Sequence, residues 1–173
     1  HADSNKPESG TGGFALHLRL TQPLLRDLNV PVNREFYGLD ETLYDQVSFV
    51  PFRVRSGDEA SCLNLNRAQQ PLVAGVRPAD LDGRFTFTHG SGWEVLNENG
   101  AVMDMNAMMW ALGKQPGDML EVNTDIGNAP LALNGALANS LLQGVVVVSE
   151  THFQTLYPDE SGYRILLVDA PEE

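Results

Sequence analysis

The chain has 173 residues, 42% of them hydrophobic, which suits one domain or two small lobes around a real core and excludes disorder as the default. Lysine and arginine total 11 against 23 aspartates and glutamates, so the net charge is −12 and phosphate backbones are repelled. Nucleic acid is thereby excluded as a partner, and no polybasic cluster is present to hold the chain on anionic lipid.

Residues 1–13, HADSNKPESGTGG, are polar and rich in glycine and serine, and read as a flexible linker. FALHLRL, residues 14–20, alternates apolar and polar, which predicts a half-buried strand with Phe14, Leu16, Leu18 and Leu20 on the inner face. Pro23 is expected to end it, with a short helical turn over Leu24–Asn29 before Pro31. NREFYGLDETLYDQ has weak periodicity and reads as loop with one helical turn. VSFVPFRVR, residues 47–55, is β-branched and aromatic; Pro51 predicts an edge or bulged strand. SGDEAS is a turn, CLNLN a short strand, and Leu72–Val76 a short apolar run. RFTFTH, residues 84–89, alternates as a strand, and GSGW turns the chain.

VMDMNAMMWALGKQPGDMLEV follows, with four methionines and a tryptophan in residues 103–110. Asp104 or Asn106 can cap a helix that Gly113 ends. Met105, Met108, Met109 and Leu112 then fall at i, i+3, i+4 and i+7, one face of that helix. MLEV starts a strand, residues 125–130 turn, and Leu131–Leu137 is another strand candidate. VVVV, residues 145–148, reads as a fully buried strand. Ser149 caps a helix over ETHFQTLY that Pro158 stops, and YRILLVD, residues 163–169, is the last strand. That spacing suits a βαβ crossover joining a parallel pair. Strands outnumber helices and the helices are short, so the expected fold class is α+β with a mixed sheet.

The chemical inventory is thin. The methionines resemble thioether clusters that hold Cu(I), but helical spacing and the lack of a nearby histidine or cysteine in sequence favour core packing. His1, His17, His89 and His152 are scattered, with no HxxxH pair. Ser91 lies in GSG without the spacing of a nucleophile elbow, and Cys62 has no adjacent base. Gly113-Lys114 is not followed by the serine or threonine of a phosphate-binding loop. No catalytic, metal-binding or cofactor-binding residue is assigned, and the expectation is a module that binds or transmits, not an enzyme. Phe36, Tyr37, Tyr44 and Trp93 are the aromatic candidates for a contact patch.

Three strings carry a family resemblance: FVPFRVRSGDEASCLNLNRAQQPLVAGV, WALGKQPGDMLEV, and ALANSLLQGVVVVSETHFQTLYPDESGYRILLVDAP. Together they resemble the extracytoplasmic domain of FtsX-like ABC transporter permeases of the MacB kind, over roughly residues 14–170. The resemblance implies a domain set between the first and second transmembrane helices of a bacterial inner-membrane protein, on the periplasmic face. It implies as partners a cytoplasmic ABC ATPase, a second permease copy or homologue, and an extracytoplasmic cargo or partner protein. It transfers no catalytic residue and no cofactor. Residues 1–13 and 171–173 would then be linkers to removed transmembrane helices. The rival readings are a secreted copper-binding protein using the methionines, and a hydrolase using Ser91 or an acidic pair.

Overall fold

The computed structural model describes residues 6–40, 46–55 and 71–170. Among the described residues, nine strands and few short helices make an α+β fold. The strands are β1 (Leu16–Leu24), β2 (Ser48–Val54), β3 (Leu72–Val76), β4 (Phe87–His89), β5 (Gly100–Asp104), β6 (Met119–Thr124), β7 (Gly127–Leu137), β8 (Val145–Ser149) and β9 (Tyr163–Asp169). They form one mixed sheet in the order β1-β9-β2-β3-β8-β5-β7-β4, with β6 paired to β7. Two α-helices are present among the described residues, α1 (Pro31–Phe36) and α2 (Glu150–Leu156).

The alternation along β8 shows how the sheet is covered. Val145 and Val147 join one core with Phe52, Val102, Leu137 and Leu167. Val146 and Val148 enter a second core on the opposite face, with Met103, Met108, Leu133 and Phe153. A run of β-branched residues buried on both faces is what a central strand demands, and each valine contributes about 1.5–3 kcal/mol. Toward β1, Phe49, Leu166, Val168 and Leu28 make a third, smaller cluster.

The helix expected after Ser149 forms: the Ser149 hydroxyl accepts a hydrogen bond from the His152 N–H at 3.1 Å, and Phe153 and Leu156 are buried. The crossover differs from a simple βαβ pair. β8 and β9 run the same way, but β2 and β3 lie between them, so α2 spans two strands on its way across. Gly75 on β3 permits this, because a Cβ there would stand 2.4 Å from Cβ of Phe153.

Several expectations are corrected. β1 runs through Pro23 to Leu24, with a register shift between Arg19 and Leu24; an edge strand can spare the missing N–H. Leu16 and Leu18 remain 56% and 39% exposed, so the predicted inner face is only half covered. The helical turn follows Pro31 instead of preceding it, with proline in the first turn where no N–H is needed. β2 is interior despite Pro51. The Phe49 N–H and C=O both bond the Asn29 side-chain amide, so Phe49 and, two residues on, Pro51 face away from β9. The β3 ladder on that side covers only Arg53 and Val54, so Pro51 withholds no ladder donor. The strand expected over residues 84–89 shrinks to Phe87–His89, because Phe85 takes a left-handed φ of 66°. From Lys6 the lead-in is docked: the Phe85 N–H donates to Pro7 O at 2.7 Å and the Leu141 N–H to Gly10 O at 2.8 Å. CLNLN lies outside the described residues.

Substituting Gly75→Val is expected to cost about 1–3 kcal/mol through the clash with Phe153. The midpoint of urea unfolding reads this directly, and an unchanged midpoint would contradict the close approach of α2.

Candidate functional site

The two ends of the domain meet. β1 pairs antiparallel with β9, Leu16 opposite Val168, and the Ala15 N–H donates to Val168 O at 2.8 Å. Entry and exit therefore lie side by side. Arg84 clasps them: its guanidinium donates to Gly12 O at 2.9 Å, pairs with the Asp169 carboxylate, and lies over the Phe14 ring at 4.5 Å. The clasp is backed by aromatic packing. Phe85 stands between Phe14 and Trp93, with ring centroids 6.3 and 6.1 Å away, and the Trp93 indole N–H donates to Arg84 O at 2.9 Å. Gly12, with φ of 66°, lies so near that a Cβ would meet the Phe85 ring at 2.7 Å. Trp93 is thus core and not part of an exposed patch.

The methionine stretch divides between core and solvent. Residues 100–104 are strand β5, buried throughout, and the helical turn expected after Asp104 follows directly at Met105. Ala107–Ala111 then makes one π-helical turn, in which the Leu112 N–H reaches back five residues to Ala107 O. The expected face largely holds, with Met105, Met108 and Leu112 on the core and Met109 turned out of it. Met103 and Met108 are fully buried and Met105 packs beside them, but Met109 is 45% exposed and Trp110 82% exposed. Asp104, wholly buried, anchors the turn's base: its carboxylate accepts from the Asn106 N–H, the Ser140 N–H and the Ser140 hydroxyl at 2.6–3.0 Å.

The remaining candidates have structural duties. The Ser91 hydroxyl donates to Glu94 across a glycine-flanked turn, which lowers the carboxyl pKa of Glu94. The carboxylate that Ser91 meets is thereby a weaker base, poorly suited to activating the hydroxyl. Glu150 pairs with Arg53 at 2.7 Å and accepts from the Tyr163 hydroxyl at 3.3 Å; burial, then Glu150, raises the pKa of Tyr163. Arg77 bridges Asp27 and Asp80, and Arg55 reaches Asp125 and the Tyr157 ring. Among the described residues, no group of three His, Cys, Asp or Glu converges as a metal site. Cys62, His1 and Tyr44 lie outside the described residues.

No family model and no curated protein matches the chain. What the surface offers is contact. Phe36 is 60% exposed, with the Arg26 guanidinium 3.6 Å above its ring, and Tyr37 packs edge-on against it. Trp110 projects from the π turn, and Ile126 stands at the tip of the β6–β7 hairpin. Arg84 and Trp110 were not singled out from the sequence. The clasp joins residues far apart in the chain, and a π turn has no simple periodic signature.

Met108→Ala is expected to cost about 2–5 kcal/mol, whereas Trp110→Ala should change stability by under about 0.5 kcal/mol. Paired denaturant titrations compare the two; a large loss for Trp110→Ala would show that its ring is packed.

His17 and His152 each bury Nε2 without a hydrogen-bond partner, and burial lowers both pKa values, helped at His17 by Arg19. The unfolded chain therefore binds protons more readily near the ordinary histidine value of about 6.5. Stability is full above that pH and is lost as pH falls below it, toward the folded-state values. Unfolding free energies measured from pH 8 to 5 should drop, and His17→Asn/His152→Asn should flatten the drop; an equal slope in the double variant would exclude the histidines as its source.

Proposed function

We propose that this chain is the extracytoplasmic domain of an FtsX-like ABC transporter permease, a non-catalytic module that carries motion from a cytoplasmic ATPase to a partner or cargo outside the membrane. The single structural observation that supports the reading is the juxtaposition of entry and exit at β1 and β9, held by Arg84. A domain inserted between two membrane helices must leave on the side it entered, and a rigid clasp passes displacement of those helices into the sheet. The three strings quoted above supply the family resemblance, and β3, the π turn, β8, α2 and β9 are built from them. The partition of the methionines gives no comparable support to the copper reading. The Ser91–Glu94 turn gives none to the hydrolase.

The gene should encode one membrane helix before residue 1 and further helices after residue 173. A single cysteine placed at Ile126 in full-length protein with Cys62→Ser should react with a membrane-impermeant maleimide in spheroplasts. A signal peptide and a stop codon in the gene, or labelling only after lysis, would overturn the proposal.

A further inference from the structure

β1 is the last strand of the sheet, and its far edge pairs with no strand among the described residues. Two properties set it apart from an inert edge. One face presents Leu16 and Leu18, well exposed, in line with Leu20 and Leu24, which pack on the core beneath. The other face carries His17 and Arg19, opposite Leu167 and Ile165 of β9. β1 contains no acidic residue, Arg19 makes no ion pair among the described residues, and Arg26 follows two positions after the strand. Arg164 of β9 donates to Thr21 O at 3.2 Å. On a chain of net charge −12 this is a locally basic edge.

We infer that β1 accepts, by strand addition, an extended segment of a partner protein whose residues alternate between apolar and acidic. Backbone hydrogen bonds to an unpaired edge supply affinity, and the alternating side chains supply selectivity. Apolar residues of the incoming strand lie beside Leu16 and Leu18 on one face. Its carboxylates lie beside Arg19 on the other, where opposite charges on adjacent strands are favourable. The same charge argues against a second copy as occupant. Two chains of −12 repel, and antiparallel β1–β1 pairing centred on the strand brings Arg19 toward its own counterpart. Pro23 limits the acceptor length to the first part of the strand. The inference stands apart from the permease reading, because it rests only on this edge.

The test uses the 173-residue chain. The probes are three capped octapeptides: alternating Glu/Val, alternating Lys/Val, and the Glu/Val peptide with a central proline. Amide shifts of residues 16–20 and fluorescence anisotropy of labelled peptide report binding. The Glu/Val peptide should shift the β1 amides and bind at least about tenfold more tightly than the Lys/Val peptide, with affinity falling as salt rises. The proline should abolish binding. Arg19→Glu, at an exposed site, should keep the fold by circular dichroism and reverse the preference between the Glu and Lys peptides. Leu18→Lys should weaken binding of the Glu/Val peptide. Three results would overturn the inference: shifts confined to other strands, an unchanged preference in Arg19→Glu, or a dimer joined through β1 in the absence of peptide.

Discussion

The structure depends on Arg84. One side chain meets a backbone carbonyl before β1, a carboxylate at the end of β9 and an aromatic ring between them. Its own carbonyl accepts from buried Trp93. Arg84 and Asp169 are both partly exposed, so the charge pair taken alone is worth little. The bidirectional geometry matters more. A planar guanidinium with several fixed donors serves two partners and a ring at once, which a lysine ammonium does not do as well. The cost is local strain. Phe85 adopts a left-handed backbone, which burial of its ring between Phe14 and Trp93 offsets.

Arginine repeats this role along the sheet. Arg53 ties β2 to the first turn of α2 through Glu150, Arg77 ties the chain after β3 to Asp27, and Arg55 reaches the β6–β7 hairpin turn at Asp125. Arg53 and Arg55 also lie against the rings of Tyr163 and Tyr157. In a chain with twice as many acids as bases, most described arginines are thus committed to holding elements together. Arg19, like Arg26 and Arg164, has no such carboxylate among the described residues. Apolar positions such as Trp110 and Ile126 are left exposed for contact.

The segments legible in the sequence are those whose local and tertiary preferences agree. VVVV has one reading as a buried strand, Ser149 has one reading as a cap, and YRILLVD alternates without interruption. Segments that tertiary structure overrides are not legible in this way. GAVMD is only five residues long, without alternation, and ends where a methionine pattern at i, i+3, i+4 and i+7 begins, so no period marks the strand. The π turn takes Met109 off the predicted stripe, while Met105, Met108 and Leu112 stay packed on the core. Pro51 looked like an edge marker because one sequence does not show that β3 stops before it. The clasp was invisible for the same reason: Gly12, Arg84 and Asp169 share no spacing and meet only when the sheet closes.

The π turn also bears on where motion can pass. Its base is fixed by Asp104, which satisfies donors from both Asn106 and Ser140 and so joins the end of β5 to the loop before β8. Its apex carries an indole almost wholly in water. A buried carboxylate with three hydrogen bonds resists displacement, because moving it strands a charge and its donors in the core. The apex has no comparable restraint. β9, β2, β3, β8 and β5 are paired in an unbroken series with Asp104 at the end of β5, so under the permease reading displacement at the Arg84 clasp would pass along that series to the base of the turn. Under that reading an exposed ring on a fixed base would meet a partner surface, since the fixed part of the turn is the part joined to the sheet.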